Sequence, residues 1–289
     1  MAQRAPQFLP WLFRLLGRCS LATLHRLGAL AGWLVYAASP RYRCHLRDNL
    51  AQAGFPPELR GAAAAEAGKQ MLELARIWTK SQEEAVAQVR EVRGWANVEA
   101  AQKAGHGILL LTPHLGCFEI AAQYYAARGG EIAVLYRPPK WAGLQRLIEN
   151  GRQRARLRLA PADLSGVRTL MKTLKRGQTV GLLPDQTPKK GEGVWLDFFG
   201  HPAYTMTLAA RLSELAPVVL MVCCERLPAG AGFRLHFAPP QAPIEGETLA
   251  RAAAINREIE TLIRRAPAQY LWGYHRYKGR QEAVKRERV

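Results

Sequence analysis

The chain has 289 residues, of which 48% are hydrophobic, so it can build a sizeable core and is not a disordered segment. Its 41 Lys and Arg residues against 23 Asp and Glu give a net charge of +18, which implies an anionic partner: nucleic acid, an anionic bilayer or an acidic protein. Five cysteines, Cys19, Cys44, Cys117, Cys223 and Cys224, form no C-x-x-C pair, which argues against a disulfide framework or a metal or redox role.

From Phe8 to Ser39 the chain is rich in Leu, Ala, Trp and Phe, and Leu27 to Ser39 carries no formal charge. Arg14, Arg18, His25 and Arg26 interrupt the stretch, so it either spans a bilayer with its arginines snorkelling or lies along the surface as an amphipathic helix. A cleaved signal peptide and a buried helix of a soluble protein are the competing readings. Arg41, Arg43 and Arg47 follow directly, which predicts a cytoplasmic location for the remainder. The chain thus divides into a membrane anchor or interfacial helix, residues 1–40, and a domain covering 41–289.

Glu58 to Val89 reads as helix. Gly107 to Thr112 reads as a buried strand, Cys117 to Arg128 as helix and Ile132 to Tyr136 as strand. Helices are predicted over Trp141 to Gly151 and Gly166 to Arg176, and a strand over Thr179 to Leu183. The loop Gly191 to Gly200 carries Trp195, Phe198 and Phe199, suited to an acyl channel, an interface or, for Phe198, ordinary core packing. Helix Thr205 to Ala216, strands Val218 to Cys224 and Phe233 to Phe237, and an amphipathic helix from Glu247 to Arg265 complete the pattern. Apolar strands alternating with helices predict an α/β fold, a mixed and largely parallel sheet flanked by helices. Such folds hold ligands where strands run into helices.

At one such junction stands Thr112-Pro113-His114-Leu115-Gly116-Cys117-Phe118-Glu119. An imidazole titrating near neutrality can take the proton of an attacking alcohol and return it to a leaving thiol. Glu119, in the first helical turn, is expected to fold back onto the other ring nitrogen, fixing the tautomer. No serine or cysteine nucleophile is needed, and Cys117 reads as packing. A structural histidine and a helix-dipole glutamate are the bland alternative.

His-x-x-x-x-Glu after an apolar strand resembles the H-x4-D/E motif of glycerolipid acyltransferases. The chain is similar in more detail to the late lipid A acyltransferases of Gram-negative bacteria, the lauroyl and myristoyl transferases. The matching blocks are His114-Leu115-Gly116 with Glu119, Tyr136-Arg137-Pro138, Gly151-Arg152-x-Arg154, Pro184-Asp185-Gln186, Phe198-Phe199-Gly200, and Gln269-Tyr270-Leu271-Trp272 with His275-Arg276-Tyr277-Lys278. Phe118 stands where many members have Trp.

The resemblance implies a glycerolipid acyltransferase-like fold with an N-terminal anchor on the bacterial inner membrane, its catalytic domain facing the cytoplasm. It implies an acyl carrier protein thioester as donor and, as acceptor, the hydroxyl of a hydroxyacyl chain on an anionic lipid A precursor. No cofactor, metal or covalent enzyme intermediate is expected. His114 is then the general base and Glu119 its partner, with Arg152, Asp185, Arg137, Arg154 and Gln186 as substrate-binding candidates. Arg137, Lys140, Arg146, Arg152, Arg154, Arg156 and Arg158 form a basic run in which most members also suit a plain solvated face.

Three other readings stay open. One is acyl transfer to a lysophospholipid or another glycolipid such as a mannosylated phosphoinositide. Another is a non-catalytic membrane scaffold. The third, more distant, is a basic nucleic-acid-binding protein, although no zinc spacing, RNP-like strand or helix-turn-helix signal accompanies the charge.

Overall fold

A computed structural model describes residues 8–139 and 142–279; Lys140 and Trp141, named above, and residues 1–7 of the proposed anchor lie outside that description. In chain order, helices α1 (Phe8–Leu16), α2 (Leu21–Ala38), α3 (Pro40–Gln52), α4 (Leu59–Thr79) and α5 (Gln82–Val86) precede strand β1 (Val89–Arg93). Helix α6 (Trp95–Lys103), β2 (Ile108–Leu111), α7 (Phe118–Ala127), β3 (Ile132–Tyr136), α8 (Ala142–Arg152), β4 (Leu157–Pro161), α9 (Leu164–Lys175) and β5 (Thr179–Leu182) follow. Then come β6 (Gly193–Phe198), β7 (His201–Met206), α10 (Leu208–Leu215), β8 (Val218–Arg226), β9 (Phe233–Ala238) and α11 (Thr248–Arg265).

Seven strands form one sheet in the order β1-β9-β8-β2-β5-β3-β4, every pair parallel except β8 with β9. The sheet has the mixed, largely parallel α/β character expected. Its central strand β2 is Ile-Leu-Leu-Leu, buried throughout because helices cover both faces. Leu109 and Leu111 join one apolar core with α9, α10 and α11, while Ile108 and Leu110 join a second with α4, α6 and α7.

Three predicted boundaries change. The Glu58 to Val89 helix breaks at Lys80 and Ser81, where Ser81 and Glu84 form a capping box that starts α5. The basic run contains an edge strand, β4. The Gly191 to Gly200 loop is most of a hairpin, β6 and β7, which turns at Phe199 and Gly200. Both turn residues have positive φ, as a tight two-residue loop requires. Phe199 tolerates this because its ring is buried against Phe55 and Trp272 and its N–H donates to Glu260 at 2.7 Å.

Helix α2 lies along α4 at very short range. Any Cβ on Gly28 or Gly32 would strike the backbone of α4, and one on Gly68 would strike α2. The opposite side of α2 is open, leaving Leu27, Leu30, Trp33, Leu34 and Val35 exposed. No helix among the described residues is long and apolar enough to cross a membrane, so of the two forms expected for residues 1–40, spanning and interfacial, the spanning one has no counterpart there.

Candidate active site

Strand β2 pairs in register with β5, Leu111 opposite Leu182. Three residues beyond each, after a proline on both strands, stand His114 and Asp185. Parallel pairing therefore sets the two side chains together at the carboxyl edge of the sheet. His114 Nδ1 lies 2.8 Å from Asp185 Oδ1, and the His114 backbone N–H donates to Oδ2 at 3.0 Å. Asp185 is buried, which would raise its pKa, but the charge of His114 and its hydrogen bonds outweigh burial and hold the carboxyl below the usual range. An ionised Asp185 can only accept from Nδ1–H, so in the neutral imidazole the lone pair lies on Nε2. The imidazole side chain keeps 18% of its surface exposed and is therefore reachable.

The histidine turn is stitched in from several directions. Gly116 has a φ of +57°, and a side chain there would collide with the Cys224 carbonyl. Its N–H donates to the Gln269 carbonyl at 3.0 Å, and its own carbonyl accepts from Gln70 at 2.9 Å. Leu271 N–H donates to the His114 carbonyl at 3.1 Å. The block Gln269 to Trp272 thus braces the turn through its backbone. Tyr270 lies buried beside Asp185; burial and that carboxylate push its phenol well above the ordinary value, keeping it protonated.

Glu119 does not reach the imidazole. Its carboxylate accepts from Arg152 Nε at 2.8 Å, forms a second bond with Arg152 Nη2, and accepts from Trp78 Nε1 at 3.3 Å. The expected His114–Glu119 contact is therefore corrected to two separate pairs, His114 with Asp185 and Glu119 with Arg152. The cause is the start of α7: its first turn directs Glu119 towards α4 and α8. Gly151 lets α8 approach Trp78 without a clash, and the Arg152 guanidinium stacks 5.8 Å from Trp78 and 5.7 Å from Tyr136. Phe118 packs against the imidazole, its ring edge-on with centroids 4.8 Å apart.

The family profile described as bacterial lipid A biosynthesis acyltransferase matches residues 11–279, nearly the whole chain. The chain belongs to that family. It is 30% identical over 203 residues to the lipid A biosynthesis lauroyltransferase of Escherichia coli, covering 69% of this chain and 65% of that protein. It is 27% identical over 247 residues to the palmitoleoyltransferase of the same organism, covering 83% and 75%. A phosphatidylinositol mannoside acyltransferase of Mycobacterium tuberculosis is 25% identical over 272 residues, covering 83% and 84%.

The remaining candidates separate by geometry in this member of the lipid A biosynthesis acyltransferase family. Gln186 Nε2 lies 3.2 Å from His114 Nε2. Arg137 is exposed beyond β3, at the same sheet edge as His114. Arg154 is engaged elsewhere: its guanidinium donates to the carbonyls of Asn150, Gln153 and Lys80, ending α8 and tying it to the α4–α5 break. Arg158 on the edge strand and Arg156 just before it face Glu131 at 3.9 Å each. Among the described residues no group of three or more His, Cys, Asp or Glu side chains is arranged to hold a metal ion.

Sequence reasoning missed Trp78 and Tyr136 as the walls of the Arg152 pair. It also missed Arg276, which is buried, donates to the Tyr204 carbonyl and Thr205, and fastens the carboxyl-terminal segment to the β6–β7 hairpin. The available signal was the Gln269 to Lys278 block itself, whose mixed aromatic and basic residues read as a surface when they are a strap.

Proposed function

We propose that the chain transfers a fatty acyl group from an acyl carrier protein thioester to the hydroxyl of a hydroxyacyl chain on a lipid A precursor, at the cytoplasmic face of the inner membrane. The observation that carries this reading is the orientation of His114, whose Nδ1 is held by a buried carboxylate while its side chain stays partly exposed at the sheet edge. The acceptor hydroxyl gives its proton to Nε2 as its oxygen attacks the thioester carbonyl carbon. Asp185 stabilises the imidazolium that forms. The tetrahedral intermediate collapses with cleavage of the carbon–sulfur bond, and Nε2 returns the proton to the leaving thiolate. The step balances without a metal, a cofactor or a covalent enzyme intermediate. Glu119 acts through Arg152, holding the guanidinium as a fixed cation at the site wall. Arg137 stands at the same edge as a second cation for anionic substrate groups.

Membrane association is supported by the exposed apolar side of α2 and the adjoining Trp11 and Leu15 of α1, with Arg14, Arg18, Arg26 and Arg41 exposed among and beside them. Transfer to a mannosylated phosphoinositide is the second reading, favoured by the likeness to the mycobacterial enzyme along most of both chains.

The test is an assay of the purified chain with a panel of carrier-protein thioesters against defined hydroxyacyl glycolipid and phosphoinositide mannoside acceptors. Turnover with the glycolipid, reduced by His114→Ala on the order of 10³-fold, is the expected result. Equal turnover by the His114→Ala protein contradicts the proposed base, and turnover on the mannoside alone replaces the acceptor.

A further inference from the structure

We infer that Gln186 supplies the hydrogen-bond donor that receives the negative charge formed on the thioester carbonyl oxygen. The inference rests on the acyl-transfer reading and concerns a residue for which that reading requires no role in bond-making.

With Nδ1–H committed to Asp185, His114 Nε2 is a hydrogen-bond acceptor. The Gln186 amide N–H, 3.2 Å away, donates to that lone pair and occupies the direction along which the base receives a proton. An acceptor hydroxyl must take this position to be deprotonated, so the amide yields to it. The displacement is confined to the side chain, because the residues on either side are held, Asp185 through its carboxylate and Thr187 through its N–H and hydroxyl. Asp185 is held by two bonds to His114. Thr187 N–H donates to Tyr274 Oη at 3.0 Å, and Thr187 Oγ1 donates to the Arg276 carbonyl at 3.3 Å.

A donor displaced from Nε2 by the attacking oxygen stays within a hydrogen-bond length or so of that oxygen, and hence beside the carbon it attacks. As the new carbon–oxygen bond forms, the carbonyl π pair moves onto the carbonyl oxygen, which becomes an oxyanion until the carbon–sulfur bond breaks. A neutral, preplaced N–H at that point stabilises the transition state more than the ground state. The same contact keeps the resting base dressed, so the amide has one partner before reaction and another during it.

The experiment measures kcat, both KM values and the pH–rate profile for the full chain and for Gln186→Ala and Gln186→Glu, with carrier-protein thioester and hydroxyacyl glycolipid. Wild-type turnover that His114→Ala abolishes establishes the underlying reading separately. Given that, Gln186→Ala is expected to lower kcat about 10²-fold with both KM values within about threefold of wild type. Gln186→Glu is close in size but cannot donate when ionised. It is expected to lose at least as much and to move the acid limb of the profile to higher pH, since a carboxylate at Nε2 favours the imidazolium. A kcat at or above wild type in either variant, or a loss confined to the acceptor KM, overturns the inference. Because the Glu variant retains side-chain volume and a partner for the ring, it decides the matter even where the Ala variant melts early.

Discussion

At the scale of single residues, the two carboxylates near the histidine turn have separate work, and substitutions should tell them apart. Asp185→Asn keeps the shape but can present an N–H to Nδ1, reversing the tautomer. We expect kcat to fall on the order of 10³-fold or more with modest change in substrate KM. Glu119→Gln instead leaves the largely buried Arg152 without its counter-charge. Burial opposes that cation, and it is Glu119 that keeps the Arg152 pKa above its ordinary value. Glu119→Gln should therefore lower stability by roughly 1–3 kcal/mol as well as activity. Adding Arg152→Gln should recover part of the stability while activity stays low, a cycle that thermal melts and turnover read independently. His114 was legible as a candidate because the turn Pro113-His114-Leu115-Gly116 ends an apolar strand and opens a block that resembles the family motif, although the spacing alone left a structural histidine open. Its true partner was harder to find. Five residues separate Glu119 from His114 in sequence and 71 separate Asp185, yet the sheet register makes the distant one the neighbour. The signal was present in the matched pair Thr112-Pro113-His114 and Leu183-Pro184-Asp185, two strand ends of one pattern, but it becomes readable only once β2 and β5 are known to be adjacent and parallel.

At the scale of elements, periodicity found the buried parallel strands and the long helices, since these bury continuous apolar runs. It missed elements whose chemistry is shaped by their surroundings. Strand β4 lies at the edge of the sheet and carries Arg158, with Arg156 just before it, the kind of charge that protects an edge from pairing with another chain. Strand β6 is only partly buried over most of its length, and its glycines and aromatics imitate a loop. Helix α2 shows a further division of labour. Its glycine face is shaped for α4, and its leucine face is matched by nothing else in the described chain. We expect Leu30→Glu with Leu34→Glu to reduce sedimentation with anionic phospholipid vesicles at least tenfold while leaving the melting temperature nearly unchanged. Both side chains are more than half exposed, at 53% and 61%, so their replacement removes little packing. Undiminished vesicle binding would move the lipid contact away from this face. Gly68→Ala should do the reverse, because its new Cβ has only α2 backbone to meet; it should destabilise the fold by about 1–3 kcal/mol.

At the scale of the molecule, the apolar amino-terminal helices and the sheet are joined by buried charge. Arg226, at the end of β8, donates to both oxygens of Glu73 on α4 at 2.7 Å and also bonds Glu66. Glu73 accepts in addition from His25 of α2 at 2.9 Å. Gln269 closes the cluster: its side chain pairs with the backbone of Arg226, and its own carbonyl accepts from the Gly116 N–H of the histidine turn. One clasp therefore ties the amino-terminal helices, the sheet and the histidine turn, so its loss should loosen all three together. Burial would raise the Glu73 carboxyl, but Arg226 and His25 prevail and hold it below its ordinary value. A carboxyl depressed in the folded state contributes stability that is complete above its unfolded value, about 4.3, and disappears as pH falls through the lower folded value. The melting temperature should accordingly show no pH dependence from this group between about pH 5 and 7, where its contribution is complete, and should fall below about pH 4. Glu73→Gln should cost about 3–5 kcal/mol at pH 7, because it leaves Arg226 buried with reduced compensation, and should flatten the acid decline. If Glu73→Gln melts with the wild-type pH dependence, Glu73 is not the source of the acid decline, and the clasp contributes less to joining the amino-terminal helices to the sheet than the glycine contact of α2 with α4.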